Sequence, residues 1–232
     1  VSLVAPPERA GTAALVVAAA LFVAYPVLRP RGDGLDAMGS TAWVVAHLCA
    51  VAGFVLLVVG LDRLRMRLVG SPAGRTAGVA VLLTGVGVGL VLPYYGAEDF
   101  GLHAVGRLAV DRPEAAPVLA LLPDAVRYAP VAAATFGIGL LGLAAGAVTA
   151  AVALRRSPWR SWAGLPLAVG LVLLLPQFWA PPFVRIGHGV LVGVGCLAVA
   201  EELWRGTRVT RSGDVSAAGR TGSPPAATAP RA

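Results

Sequence analysis

The sequence predicts an all-α fold: an integral membrane bundle of six transmembrane helices with both termini cytoplasmic. Three observations carry that reading. Hydrophobic residues make up 57% of the chain and charged ones 13%, about half the charged share of a soluble domain, and the mean hydropathy is +0.77. The apolar residues are gathered into blocks of about 20, the helix length that crosses a hydrocarbon core of about 30 Å. The arginines fall unevenly on the two sides that those blocks define.

The blocks are continuous rather than alternating, and backbone groups in lipid must be satisfied within the segment, so each block is expected to be a helix and not a barrel strand. The first span is expected over about 12–28, with Pro26 near its outer end. The others cover about 41–61, 76–95, 129–154, 161–180 and 182–203. Together they fill residues 1–205 and leave no room for a soluble domain. The outer loop 96–128 holds Pro113, Pro117 and Pro123, and its stretch from Glu98 to Val110 is a candidate interfacial helix. The tail 206–232 is rich in Gly, Ser, Thr, Ala, Pro and Arg, too polar to bury a core, and is expected to be a disordered cytoplasmic tail.

Orientation follows from the arginines. Thirteen of the nineteen lie on the side that holds Arg9, Arg63, Arg65, Arg67, Arg75, Arg155, Arg156, Arg160 and the tail. The other side holds Arg29, Arg31, Arg107, Arg112, Arg127 and Arg185. The richer side is expected to be cytoplasmic. The high isoelectric point is then a topology signal, strengthened by attraction to anionic lipid. Nucleic acid is excluded as a partner, because no folded basic surface remains to bind it. The chain contains no Lys and no Asn, and only two Ile, a bias toward GC-rich codons that points to a bacterial plasma membrane.

Several motifs have plain readings. Gly137-Ile-Gly139-Leu-Leu-Gly142 spells G-x-G-x-x-G, but it lies inside an apolar span rather than between a strand and a helix, so it is not a dinucleotide site. Gly85 and Gly89, Gly142 and Gly146, and Gly189 and Gly193 have the small-xxx-small spacing that lets helices approach closely. They are read as helix-packing positions, within the bundle or at the face of a homo-oligomer or membrane partner. Trp43, Tyr94, Tyr95, Phe178 and Trp179 are expected at the outer interface, and Trp159, Trp162 and Trp204 at the inner one. Cys49 and Cys196 are read as small buried hydrophobes. No G-x-S-x-G, P-loop or H-E-x-x-H pattern occurs, so the reading leans away from an enzyme.

The histidines carry the candidate chemistry. His47, His103 and His188 all fall toward the outer leaflet, near Glu98 and Asp99, with Arg185 one turn before His188. Ionisable groups in a membrane are costly and are functional candidates by default. The favoured reading is a protein that binds or moves a small ligand or ion at one shared outer-leaflet site of His47, His103 and His188, with Glu98 or Asp99 as carboxylate partner, used for metal binding, haem ligation or proton transfer. A divalent metal or haem is the candidate cofactor, the latter between His47 and His188 as in a b-type redox protein. The competing reading is three separate histidines, each hydrogen-bonded to a neighbouring helix. A third possibility is a structural or accessory subunit without chemistry.

The segment Ser40-Thr-Ala-Trp-Val-Val-Ala-His47-Leu-Cys-Ala-Val-Ala-Gly-Phe54-Val-Leu-Leu57, with the six-span layout, resembles multi-pass membrane proteins of high-GC bacteria that have no assigned activity. The resemblance rests on the Ala-His-Leu and Gly-Phe-x-Leu-Leu pattern of the second span. It implies a plasma-membrane location and transfers no functional residue.

Overall fold

A computed structural model describes residues 7–159 and 161–220 of the chain, with side chains described from Arg9 to Arg205. All regular structure among the described residues is helical. α1 spans Pro7–Leu28, α2 is the single turn Leu35–Met38, and α3 spans Thr41–Leu68. Ser40 starts α3 by accepting the Trp43 N–H on its hydroxyl at 3.2 Å, satisfying a donor that the first turn leaves orphaned. Past its end, Gly70 adopts φ +81, the left-handed conformation that lets the chain reverse into the next helix.

α4 spans Gly74–Gly96 and does not stop at the expected boundary near Tyr95. It continues through one π-helical stretch, Ala97–Leu102, into α5, His103–Asp111. The expected interfacial helix is therefore an extension of the third span. A short 3₁₀ turn Pro113–Ala115 leads to α6, Ala116–Leu119, and α7, Leu122–Arg127. α8 spans Pro130–Arg156, α9 Leu165–Val172, a second 3₁₀ turn Pro176–Trp179, and α10 Pro182–Arg220. α10 thus runs into the tail expected to be disordered, as far as Arg220; the rest of that expectation, and Arg160, lie outside the described residues.

Among the described residues, five helical stretches are long and apolar enough to cross a membrane: Arg9–Leu28, Thr41–Leu68, Gly74–Asp111, Pro130–Arg156 and Pro182–Arg205. The segment 161–180, expected as the fifth of six spans, is not among them. α9 has eight residues, and Pro176 explains why it ends. Proline has no N–H to give to the carbonyl of Val172 and its ring crowds that turn. The Leu174 N–H bonds Leu171 instead, at 3.4 Å, and the Gln177 N–H bonds Leu173.

Close approaches at glycine fix how the helices pair. Gly53 lies against Phe22 and Gly60 against Leu15, so α1 and α3 are antiparallel. Gly146 lies against Thr84, while Gly139 and Gly142 face Gly87, which pairs α4 with α8. Gly189 meets the Phe22 carbonyl and Gly193 that of Ala19, pairing α10 with α1; Gly195 meets Leu167, pairing it with α9. These pairings gather Arg63, Arg65, Arg67, Arg75, Arg155 and Arg156 at one end of the bundle. Residues 29–43, 94–130 and 176–185 lie at the other.

Not all the glycines expected in packing lie against another helix of this chain. A Cβ added at Gly85 or Gly89 meets no atom within 4 Å, whereas one at Gly87 comes to 2.7 Å from the Leu143 backbone nitrogen. Two helical residues turn the chain by about 200°, so the face that packs on α8 holds Gly87 and turns its two neighbours away.

The core at the arginine-rich end is filled. Leu15, Leu57, Leu61, Leu64, Leu143, Leu154, Leu167 and Leu203 form one buried cluster, with Ala147, Ala150 and Val199 closing the spaces between them.

Candidate functional site

At the opposite end the bundle axis opens into a cavity of about 710 Å³. Its wall comes from α1, α3, α4, α8, α10 and the interrupted segment after α9. The floor is apolar, made by Phe22, Ala50, Phe54, Leu171, Leu174 and Val192. Above it lies an aromatic tier. Tyr95 packs between Tyr25, 6.0 Å away, Phe54 at 5.7 Å and Phe136 at 6.3 Å between centroids; Phe136 in turn meets Phe178 edge to face at 5.6 Å. Six-membered rings meeting at steep angles keep their edges on neighbouring faces, and bulky, tilted rings at successive positions hold the helices apart where leucines close them at the other end.

His47 sits in this wall, buried on α3. Its Nδ1 is 2.8 Å from the Trp43 carbonyl, one turn back. A carbonyl only accepts, so Nδ1 carries the proton and Nε2 is the acceptor of the neutral ring. The ring lies 4.6 Å from that of Trp43 and 5.6 Å from that of Tyr25.

His188, on α10, lines the same cavity. Its Nε2 donates to the Gly170 carbonyl at 2.7 Å. That carbonyl is an orphan of the early end of α9, because the Leu174 N–H that would normally reach it is turned to Leu171. His188 therefore closes the break that Pro176 opens.

Arg185 does the same one turn earlier, donating from Nε to the Ala180 carbonyl at 2.9 Å and from an Nη to the Phe178 carbonyl at 2.8 Å.

His103 is elsewhere. Its Nδ1 donates to the Met38 carbonyl at 2.8 Å, tying α5 to α2, and it is not part of the cavity wall. Among the described residues no group of three or more His, Cys, Asp or Glu side chains is disposed to hold a metal ion. The geometry brings His47 and His188 to one cavity, leaves His103 out, and gives each histidine a backbone carbonyl as partner.

The carboxylates separate in the same way. Glu98 lines the cavity and accepts two hydrogen bonds from Arg127, at 2.6 and 2.8 Å. Burial works against the charge on Arg127, but the bonds to Glu98 and its charge outweigh that and raise the Arg127 pKa above the ordinary arginine value. Asp99 is not part of the cavity wall; it is buried, and both of its oxygens lack a hydrogen-bond partner among the described residues.

Trp43, expected at the interface, is fully buried. Its indole N–H donates to the Glu98 carbonyl at 2.8 Å, and the guanidinium groups of Arg29 and Arg127 lie 5.0 and 5.9 Å from its ring. Arg29 is also paired with Asp33.

Trp179 and Trp162 are exposed, as interface residues are.

The sequence reading missed Tyr25, Arg29, Arg31 and Arg127 as wall residues. The arginines entered it only as topology signals, and Tyr25 carries no mark except its place beside Pro26. Arg185 was visible through its spacing from His188. No family model, curated protein or solved structure matches the chain.

Proposed function

We propose that the chain is a polytopic plasma-membrane protein, both termini cytoplasmic, that binds or moves a small ligand through the cavity at its outer end. The arginine-rich end is the cytoplasmic one by the positive-inside rule, which puts the cavity toward the outer leaflet. One observation carries the reading. A bundle whose other half is filled with leucine keeps about 710 Å³ open here and lines it with aromatic rings and polar groups. That volume is within the range of small-molecule sites, and an apolar wall with a few convergent polar groups is their usual make-up.

The test is to fill the cavity. Gly137 lines it, and a Cβ there meets no atom within 4 Å, so the side chain of Gly137→Trp starts in open space. Native mass spectrometry of the gently purified wild type is expected to show a retained small molecule that Gly137→Trp lacks at unchanged thermal stability. A Soret band or a stoichiometric metal would move the reading to the redox or metal-binding alternative. The accessory-subunit reading draws on Gly85 and Gly89, which leave an open small-residue face on α4. It takes over if the cavity-filled variant and His47→Ala both behave as wild type in the cell.

A further inference from the structure

The charges on the cavity wall do not cancel, and the imbalance specifies a ligand class. Four guanidinium groups line it, those of Arg29, Arg31, Arg127 and Arg185, against two carboxylates, Asp33 and Glu98. Two of the arginines are neutralised: Arg29 by Asp33 and Arg127 by Glu98. Arg185 has partners, but they are the carbonyls of Phe178 and Ala180. Carbonyls satisfy N–H groups without cancelling charge, and only two of the five guanidinium N–H groups are used this way. Arg31 has no ion pair among the described residues. The wall therefore carries two uncompensated positive charges, while the floor of Phe22, Phe54, Leu171, Leu174 and Val192 is apolar.

Resting on the reading of this cavity as a ligand site, we propose that its ligand is an amphipathic anion, with one phosphate or carboxylate group at Arg31 and Arg185 and an apolar body against Phe22 and Phe54. The charges favour an anion over a cation. Around the half-buried Arg185 screening is reduced, which strengthens that preference, while Arg31 is exposed. A guanidinium with unused N–H groups is the side chain suited to oxyanions. The floor supplies the binding that a bare inorganic anion cannot use. The volume, about two dozen water-sized groups, admits one single-chain or ring-bearing molecule. A lipid with an acidic headgroup and a soluble acidic amphiphile share this chemistry.

The test uses the full chain in an uncharged maltoside detergent. Decyl phosphate, decanol, decyltrimethylammonium and inorganic phosphate are titrated separately and followed by thermal shift and native mass spectrometry. Decyl phosphate is expected to bind about tenfold or more tightly than the other three, as a charge-assisted contact implies. Arg31→Gln and Arg185→Gln are each expected to weaken it about tenfold and leave decanol unchanged. Arg31→Gln keeps the test valid if loss of Arg185 unfolds the turn it ties. Equal binding of the three amphiphiles, preference for the cation, or unchanged binding in Arg31→Gln overturns the proposal.

Failure of the cavity reading looks different: Gly137→Trp would then leave the binding of every amphiphile untouched. Nanodiscs containing phosphatidylglycerol identify the source. One lipid retained per chain and displaced by decyl phosphate supports a lipid ligand, and decyl phosphate binding with no lipid released supports a soluble one.

Discussion

The two halves of the bundle are built from the same long helices but are packed by opposite means. Toward the arginine-rich end, leucines and alanines interdigitate, and Gly60 and Gly146 let neighbouring helices touch. Toward the other end, rings at Phe22, Tyr25, Phe54, Tyr95, Phe136 and Phe178 space the helices around an open axis. Lipid is as apolar as leucine, so helix association in a membrane depends on close contact rather than on escape from water. The filled half therefore supplies the cohesion. The open half is tolerated because the polar groups of its cavity wall that are buried are tied to one another or to backbone: His47 to Trp43, His188 to Gly170, Glu98 to Arg127.

That contrast can be broken by experiment. The largest effect is expected at Leu57, which is fully buried in the filled half. Leu57→Ala should cost about 3 kcal/mol through the void it leaves. Leu174→Ala, at the edge of an existing cavity, should cost less than half as much. Equal losses in equilibrium unfolding in mixed micelles would show that the two halves are packed alike.

Next is the ion pair in the open half. The side chains of Arg127 and Glu98 are 15% and 9% exposed, so removing one partner leaves a mostly desolvated charge. Glu98→Gln is expected to lose about 2 kcal/mol, and the double variant Glu98→Gln, Arg127→Gln to lose less than the single one. A double variant at least as damaged as the single one would show that the pair holds nothing against burial.

A smaller contrast lies within α4. Gly87→Ala forces a methyl against the backbone of α8 and is expected to cost about 1–2 kcal/mol. Gly85→Ala, two residues away on the open face, should cost nothing and gain a few tenths of a kcal/mol from the better helix former. Unfolding curves that shift together would disprove the assignment of faces.

The smallest effect is at Asp99. Both of its oxygens are buried without a partner among the described residues, so Asp99→Asn is expected to raise the melting temperature, by about 1 kcal/mol in stability. A fall would reveal a partner that the carboxylate needs.

How much of this was legible in the sequence differs from residue to residue. The apolar blocks marked helices because a spanning backbone has no other way to satisfy its polar groups, and α1, α3, α4, α8 and α10 lie where those blocks are. The segment 161–180 has the same hydropathy as its neighbours, yet Pro176 ends α9 after eight residues. The signal was present, but hydropathy is blind to a missing N–H. Small-xxx-small spacing singled out Gly146 and Gly189, which lie against neighbouring helices, and equally Gly85 and Gly89, which meet no other helix of this chain. Spacing defines a stripe on a helix, and it does not say which stripe faces a neighbour.

The same limit applies to the histidines. Their common depth followed from counting along the spans, but depth fixes only one coordinate of three. Rotation about α3 and α10 turned His47 and His188 toward one cavity, while the π-helical turn and α5 carried His103 to the carbonyl of Met38.

The sequence by itself determined the class of fold, because hydropathy over 20 residues is a property of the chain alone. It also set the charge asymmetry between the two ends, because arginine is placed by order along the chain. Only the tertiary structure decided that aromatic residues from five separate segments would ring one open axis, that Trp43 would be buried against Glu98 rather than anchored at an interface, and that Arg31 and Arg185 would share a wall. Those facts depend on the relative rotation of packed helices, which is set by contacts between residues far apart in the chain and leaves no local periodic signal.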